Sequence, residues 1–229
     1  MNLDTTKSLK ELEIDPKLFI GGFYIDPKIC DDMNNWFNEI PDDAKTEGRL
    51  SVKGYGSELI VDKAVKDTIE FQMPDPYLQD EATKNILLSY LEALDTSFTQ
   101  YNEKYNNSIL QEGTYNFLVQ PPQIQRYPAG GSFNMLHCER YSETLMGLRR
   151  HLVYMTYFDD IEDGGGTEFP FQNFTSKSKK GLTLIWPAGW THMHRGVPAP
   201  NQEKTIITGW AHIDVPQGED FKIFIDSFV

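Results

Sequence analysis

Five histidines stand in the chain, at positions 137, 151, 192, 194 and 212, and four of them lie in or beside short runs rich in β-branched and aromatic residues. His137 is followed two places later by Glu139. In an extended segment residues i and i+2 point to the same side, so an imidazole and a carboxylate converge on one point. A second histidine from a later strand closes a triangle of two histidines and one carboxylate. Such a set holds a divalent ion from one face and leaves three positions open, the arrangement suited to non-haem Fe(II) and O2 chemistry. His192 and His194 are themselves i and i+2, and both compete for the third place. A carboxylate-free set of His137, His192 and His194 is the alternative. An isolated His-x-Glu is common by chance, and a histidine satisfied in a core or at the surface is the ordinary case. The surrounding sequence has to decide.

The elements that must position these residues change in character along the chain. Leu18 to Ile25 reads as a short strand. Asp26-Pro27 then opens a helix, with Asp26 as N-cap and Pro27 at the first helical position, and Ile29, Met33, Trp36 and Phe37 follow at helical spacing. Residues 41–59 read as loop. A second helix is expected near Val61–Met73. A third carries one apolar face of Ile86, Leu87, Tyr90, Leu91, Leu94, Phe98 and Tyr101. After about residue 114 come the runs YNFLVQ, QIQRY, HLVYMTYF, LTLIWP and KTIITGWAHI, punctuated by Gly, Pro and Asp/Asn. Short strands of this kind predict a β barrel or sandwich, braced on one side by the helices that precede it.

Composition narrows the function classes. The 229 residues carry 34 acidic and 21 basic side chains, a net charge of −13. An acidic surface repels phosphates, so no nucleic-acid partner is expected, and the short basic tract Lys177-Ser178-Lys179-Lys180 is too small to reverse that. No run of about 18 apolar residues occurs, so no membrane span is expected. The amino-terminal stretch lacks the apolar core of a secretory signal. Cys30 and Cys138 cannot build a disulfide framework, which fits a reducing, cytoplasmic setting. The glycine run Gly164-Gly165-Gly166 lacks the lysine that a phosphate-binding loop requires, and the acidic run Asp159–Asp163 reads as a solvated loop.

Four blocks in order give the chain a family likeness. The first is Gln125-Arg126-Tyr127-Pro128-Ala129-Gly130-Gly131-Ser132-Phe133, followed by His137-Cys138-Glu139. The second is Arg149, then Tyr157-Phe158-Asp159-Asp160 and Gly165-Gly166-Thr167-Glu168-Phe169-Pro170. The third is Lys180-Gly181-Leu182-Thr183-Leu184-Ile185-Trp186-Pro187. The fourth is His194-Arg195-Gly196-Val197-Pro198, with Lys204 ten residues after the histidine and Trp210 six further on. Over residues 123–213 the sequence resembles the 2-oxoglutarate- and Fe(II)-dependent dioxygenases, on their prolyl 4-hydroxylase branch. One position departs from that pattern: the family usually carries Asp where this chain has Glu139. Glutamate keeps the hard oxygen donors and adds one methylene, so the ligand has to sit back or bind at a different angle.

The resemblance implies a metal centre of His137, Glu139 and His194, with no catalytic side chain beyond it. His192 and Trp210 become supporting residues around the ligands, and His151 and His212 structural ones. It implies that Lys204 pairs the distal carboxylate of 2-oxoglutarate and that Tyr127 hydrogen-bonds the same cosubstrate. Thr208 and Thr156 are further candidate contacts. On the strand that Lys204 begins, alternate residues Ile206, Thr208, Trp210 and His212 share its face. Trp186, Trp190 and Ser176–Lys180 are expected at the mouth of the barrel.

The fold expected is α+β, a double-stranded β-helix (jelly-roll) core braced by N-terminal helices, in a single domain. Residues 1–17 form a flexible amino terminus, 18–113 a mainly helical support, 114–215 the oxygenase core and 216–229 a carboxy-terminal extension. The activity implied is hydroxylation of a C–H bond, most simply on a prolyl or similar residue of a peptide, with Fe(2+), 2-oxoglutarate, O2 and L-ascorbate as reductant. A free amino acid or other small molecule is the alternative substrate. A jelly-roll binding module without activity is the alternative function.

Overall fold

The computed structural model describes residues 8–51, 59–105, 115–116, 120–140 and 145–213. The expectations for 1–7, 106–114 and 216–229 lie outside the described residues. In chain order, β1 is Lys10–Glu11 and β2 Gly21–Tyr24, followed by α1 (Pro27–Glu39), β3 (Thr46–Glu47), β4 (Leu50–Ser51), β5 (Leu59–Ile60) and β6 (Ile69–Gln72). Then come α2 (Glu81–Tyr105), β7 (Tyr115–Asn116), β8 (Gln123–Tyr127), α3 (Leu145–Arg149) and β9 (Arg150–Tyr157). The remaining strands are β10 (Thr167–Phe169), β11 (Phe174–Thr175), β12 (Leu182–Pro187), β13 (Arg195–Gly196) and β14 (Lys204–Ile213).

Local chemistry explains both long helices. The Asp26 carboxylate accepts from the Lys28 amide at 2.9 Å, and Pro27, which has no amide hydrogen to orphan, starts α1. Asp80 caps α2 in the same way, accepting from the amides of Ala82 (3.0 Å) and Thr83 (3.1 Å). Cys30, Met33, Trp36 and Phe37 of α1, with Leu87, Tyr90, Leu94, Phe98 and Tyr101 of α2, form the buried stripes. No helix among the described residues is long and apolar enough to cross a membrane.

Two expectations fail. No helix forms near Val61–Met73: the segment turns at 63–65 and then runs as β6, antiparallel to β8 with Phe71 opposite Ile124. Val61, Val65, Ile69 and Met73 repeat every fourth residue, which mimics a helical stripe, but Val61 and Ile69 are exposed. The burial instead alternates, with Thr68 and Glu70 on the buried side, and β8 supplies the partner strand. The amino-terminal stretch is also tied down where it is described. β1 pairs β2, the Leu9 amide donates to Gln100 of α2, and Ile14 is buried. The strand expected over Leu18–Ile25 is shorter, because a 3-10 turn at Pro16–Leu18 and a left-handed Phe19 precede it.

The main sheet is antiparallel and runs β1-β2-β12-β9-β14-β8-β6-β3, with β7 added to β14. α1 and α2 cover one of its faces. Leu152, Tyr154, Phe158, Ile185, Ile207 and Ala211 point into that helical layer. The opposite face carries Tyr127, Val153, Met155, Tyr157, Leu182, Leu184, Trp186 and Ile206. A small sheet, β11-β10-β13, closes over it, with Phe169 of β10 edge-on to Trp186 at 5.3 Å. The result is an α+β fold with a mostly antiparallel sheet, and the second face is where the chemistry gathers.

Candidate metal centre and cosubstrate pocket

The chain leaves β8, turns at Pro128–Gly131 and returns across the open face as an extended segment. There His137 and His194 exchange both backbone hydrogen bonds, His137 N–H to His194 C=O at 3.0 Å and the reverse at 2.8 Å. The Glu139 amide donates to the Ala188 carbonyl at 3.1 Å, which fixes the third member. His137, Glu139 and His194 thereby offer three ligand atoms within 4.8 Å of one another.

Each histidine is oriented by its other nitrogen. His137 Nδ1 lies 2.8 Å from the Met135 carbonyl, and His194 Nδ1 lies 2.9 Å from the His192 carbonyl. A carbonyl only accepts, so both Nδ1 atoms carry a hydrogen, and it is the Nε2 of each ring that turns inward, placed to give a lone pair to an ion. Those lone pairs sit 3.3 Å (His137) and 3.6 Å (His194) from Glu139 Oε1. Three acceptors that face one another repel unless a cation lies between them. The donor set, two imidazoles and one carboxylate with the rings held from behind, fits a borderline divalent ion such as Fe(II). Burial would raise the Glu139 carboxyl, but positive charge held beside it at the two imidazole nitrogens outweighs burial and keeps it well below the usual carboxylate range, the place an ion would take. Burial pushes His194 down, against the pull of Glu139. Phe133 stacks on His137 at 4.1 Å, and Trp186 packs edge-on to His194 at 5.0 Å.

His192 is turned away. Its Nε2 meets the Leu18 carbonyl at 2.9 Å and its Nδ1 the Thr191 hydroxyl at 3.0 Å. A set of His137, His192 and His194 is therefore not what converges, and His192 supports its neighbour through its backbone carbonyl. The Trp210 indole N–H donates to Glu139 Oε2 at 3.0 Å.

Lys204 faces Tyr127 across the β14–β8 pair, its ammonium 4.9 Å from the centre of the Tyr127 ring. It is 3% exposed, and its ammonium donates to the Gly165 carbonyl at 3.0 Å. No carboxylate among the described residues reaches it, and burial depresses its pKa to about 8. The Tyr127 hydroxyl donates to Gln125 at 2.6 Å, and burial pushes its own pKa up. Thr208 lies on the same face of β14, between Lys204 and Trp210, with its hydroxyl donating to the Tyr154 carbonyl at 2.9 Å.

Thr156 does not join this pocket. Its hydroxyl bonds to Thr183 at 2.8 Å and to Tyr90 of α2 at 3.2 Å, on the helical side of the sheet. Arg126 likewise points to α1, bonded to Asn34 and Asn38. His212 stands opposite Arg150, past a register shift where β9 carries the extra residue His151, and its Nε2 meets Gln120 Oε1 at 3.0 Å, the oxygen that also accepts from Arg150. Trp186 is buried core, whereas Trp190 is exposed beside His192.

Three features escaped the sequence reading. Arg150, the neighbour of the arginine singled out, reaches Glu139 Oε2 at 3.3 Å. Gln125 partners Tyr127, a role that its i, i+2 spacing could have signalled. Lys66 and Glu70 form a buried ion pair at 2.5 Å, and Glu70 continues through Gln123 to Gln125.

An antiparallel α+β fold with two histidines and a carboxylate converging beside a buried, carboxylate-free lysine defines the class of 2-oxoglutarate-dependent dioxygenases. Residues 122–212 match the family described as the 2OG-Fe(II) oxygenase superfamily, and that segment is an oxygenase domain of the superfamily. No curated protein matches the chain by sequence. Solved structures do match by fold. A viral collagen prolyl hydroxylase from Paramecium bursaria Chlorella virus-1, in complex with 2-oxoglutarate, shares 18% identity at a TM-score of 0.52 and covers 93% of this chain and 100% of its own. A Pseudomonas putida prolyl-4-hydroxylase shares 14% at 0.59, covering 87% and 95%. A Trichoplax adhaerens prolyl hydroxylase, in complex with a hypoxia inducible factor oxygen degradation domain peptide, shares 12% at 0.62, covering 91% and 88%.

Proposed function

We propose that the protein hydroxylates a C–H bond of a prolyl or similar residue in a peptide, within a double-stranded β-helix that holds Fe(II) on His137, Glu139 and His194. The observation that carries this reading is the convergence of two Nε2 lone pairs and one carboxylate oxygen with both rings locked from behind. When bound, Fe(II) supplies the redox chemistry that couples oxidative decarboxylation of 2-oxoglutarate by O2 to hydroxylation. One oxygen atom of O2 enters succinate and the other the product, with CO2 released. Lys204 holds the distal carboxylate of 2-oxoglutarate. Its ammonium is already desolvated, and binding exchanges the Gly165 carbonyl for a charged partner. Tyr127 and Thr208 bound the same pocket, while Phe133, Phe169 and Trp186 keep water from the histidines. L-Ascorbate is the reductant expected to sustain turnover, and the cytoplasm the expected compartment.

The fold likeness to prolyl hydroxylases supports the peptidyl-proline substrate. A second reading, a small polar substrate such as a free amino acid, is favoured by the polar wall of Gln123, Gln125 and the Lys66–Glu70 pair beside Tyr127. Under air, protein supplied with Fe(II), ascorbate and 2-oxoglutarate should release succinate, and Glu139→Ala should not. Peptides and metabolites screened for a gain of one oxygen atom then separate the two substrate classes. If the wild-type protein releases no succinate and binds no Fe(II), the enzyme reading fails and a binding module remains.

A further inference from the structure

The Glu139 carboxylate has two oxygens and only one of them faces the histidines. Oε2 is taken on its far side by the Trp210 indole N–H at 3.0 Å and the Arg150 guanidinium at 3.3 Å. The two donors also fix each other, because the Arg150 guanidinium lies 3.5 Å above the centre of the Trp210 ring. Arg150 is anchored further by Gln120, which accepts from its Nε at 2.9 Å. Trp210 has a single polar hydrogen, and it is spent on this bond. A glutamate has one more rotatable bond than an aspartate, and its carboxylate can swing to offer an ion both oxygens. Near Oε1 the described residues place the two histidine nitrogens, at 3.3 and 3.6 Å, and these would share an ion with either oxygen. The brace on Oε2 prevents that swing.

We infer that Trp210 and Arg150 are positioning residues that compensate for the longer acidic ligand, holding Glu139 so that it offers the metal ion one oxygen and leaves room for 2-oxoglutarate. The inference rests on the metal centre proposed above. Freed of the brace, the second carboxylate oxygen competes for a position that the keto acid needs. A donor that merely props up the fold would weaken metal and cosubstrate together, whereas this brace predicts that they separate.

The test is anaerobic titration of Co(II), followed by 2-oxoglutarate, into the full chain, recording the visible Co(II) spectrum. The wild-type protein and Glu139→Ala come first: tight binding in one and loss in the other establishes the centre itself. Trp210→Phe, which keeps the ring and removes the N–H, should then keep its Co(II) affinity. Its spectrum should change, and its affinity for 2-oxoglutarate should fall by about tenfold, the size expected when a hydrogen bond to a charged group is lost. Arg150→Gln should shift the same two readouts in the same direction, and it carries the test if Trp210→Phe does not fold. Unchanged spectrum and unchanged 2-oxoglutarate affinity in a folded variant would overturn the brace while the centre stands. Loss of Co(II) as complete as in Glu139→Ala would overturn it too, by showing a structural prop. Failure of the wild-type protein to bind Co(II) removes the centre and the brace with it.

Discussion

Strands β8, β9 and β14 bury both of their faces, and the two faces answer their polar groups differently. On the helical side the Thr156 hydroxyl bonds to both Thr183 and Tyr90, so these three hydroxyls are partnered within the protein, and of that side's hydroxyls Tyr154 Oη is the one left buried without a partner among the described residues. On the opposite side the Lys204 ammonium meets, among the described residues, the Gly165 carbonyl and the Tyr127 ring but no carboxylate, and the two histidines and Glu139 converge their ligand atoms. A buried polar group without a proper partner costs free energy. The Thr156 network is complete within the protein, whereas the opposite face gathers charged and acceptor groups that an added ion and acid, as proposed above, would complete. The contrast separates residues that hold the fold from residues proposed to hold ligands, within one sheet and sometimes at neighbouring positions.

The comparison can be broken at several points. The largest effect on stability should come from the helical face: Leu87→Ala empties a fully buried site between α2 and the sheet and should cost about 2–5 kcal/mol, read by denaturant unfolding. If the division of labour holds, the folded fraction should keep its 2-oxoglutarate affinity. On the opposite face Lys204→Ala should weaken 2-oxoglutarate by at least about tenfold while barely changing Fe(II) affinity, and Lys204→Arg should lose less. The metal-to-ligand charge-transfer band under anaerobic conditions reads both.

The same lysine makes the pocket sensitive to pH. Its folded pKa, about 8, lies below the ordinary 10.5. The unfolded chain therefore holds more protons between those values, and stability of the cosubstrate-free protein should rise with pH across that window. On the proposal that the ammonium holds 2-oxoglutarate, affinity should fall as pH climbs through about 8, with proton uptake on binding above that point. Calorimetry in buffers of different ionisation enthalpy measures it. A flat affinity from pH 7 to 9.5 would place the carboxylate elsewhere. The smallest change should be Thr156→Val. It strands two hydroxyls and should cost about 1–3 kcal/mol of stability, yet leave 2-oxoglutarate affinity as it was. A loss of affinity there would return Thr156 to the pocket.

How far the sequence could be read follows from the same division. The cap at Asp26-Pro27, the apolar stripe of α2 and the strand runs are local signals, and they were legible. So were His137, Glu139 and His194, whose spacing and order carry the likeness. What failed depended on phase. A strand buried on one face declares its inward side by alternation, but in β9 every residue from Leu152 to Tyr157 is buried, so nothing in the text says which alternate set faces the helices. Thr156 was placed on the wrong side for that reason. The helix expected near Val61–Met73 failed because only the partner strand β8 reveals that β6 is a strand.

Alanine scanning, the usual way to find a site, would pass over one part of this pocket. The carbonyl that receives Lys204 belongs to Gly165, whose left-handed backbone (φ +72°) follows an equally left-handed Gly164. A methyl group on Gly164 would sit 2.0 Å from the Pro198 carbonyl oxygen, the same oxygen that accepts from the Gly165 amide at 3.1 Å. Adding one carbon at that position would displace the peptide on which the lysine rests. The pocket is therefore more fragile to growth than to deletion, at a residue that has no side chain to lose.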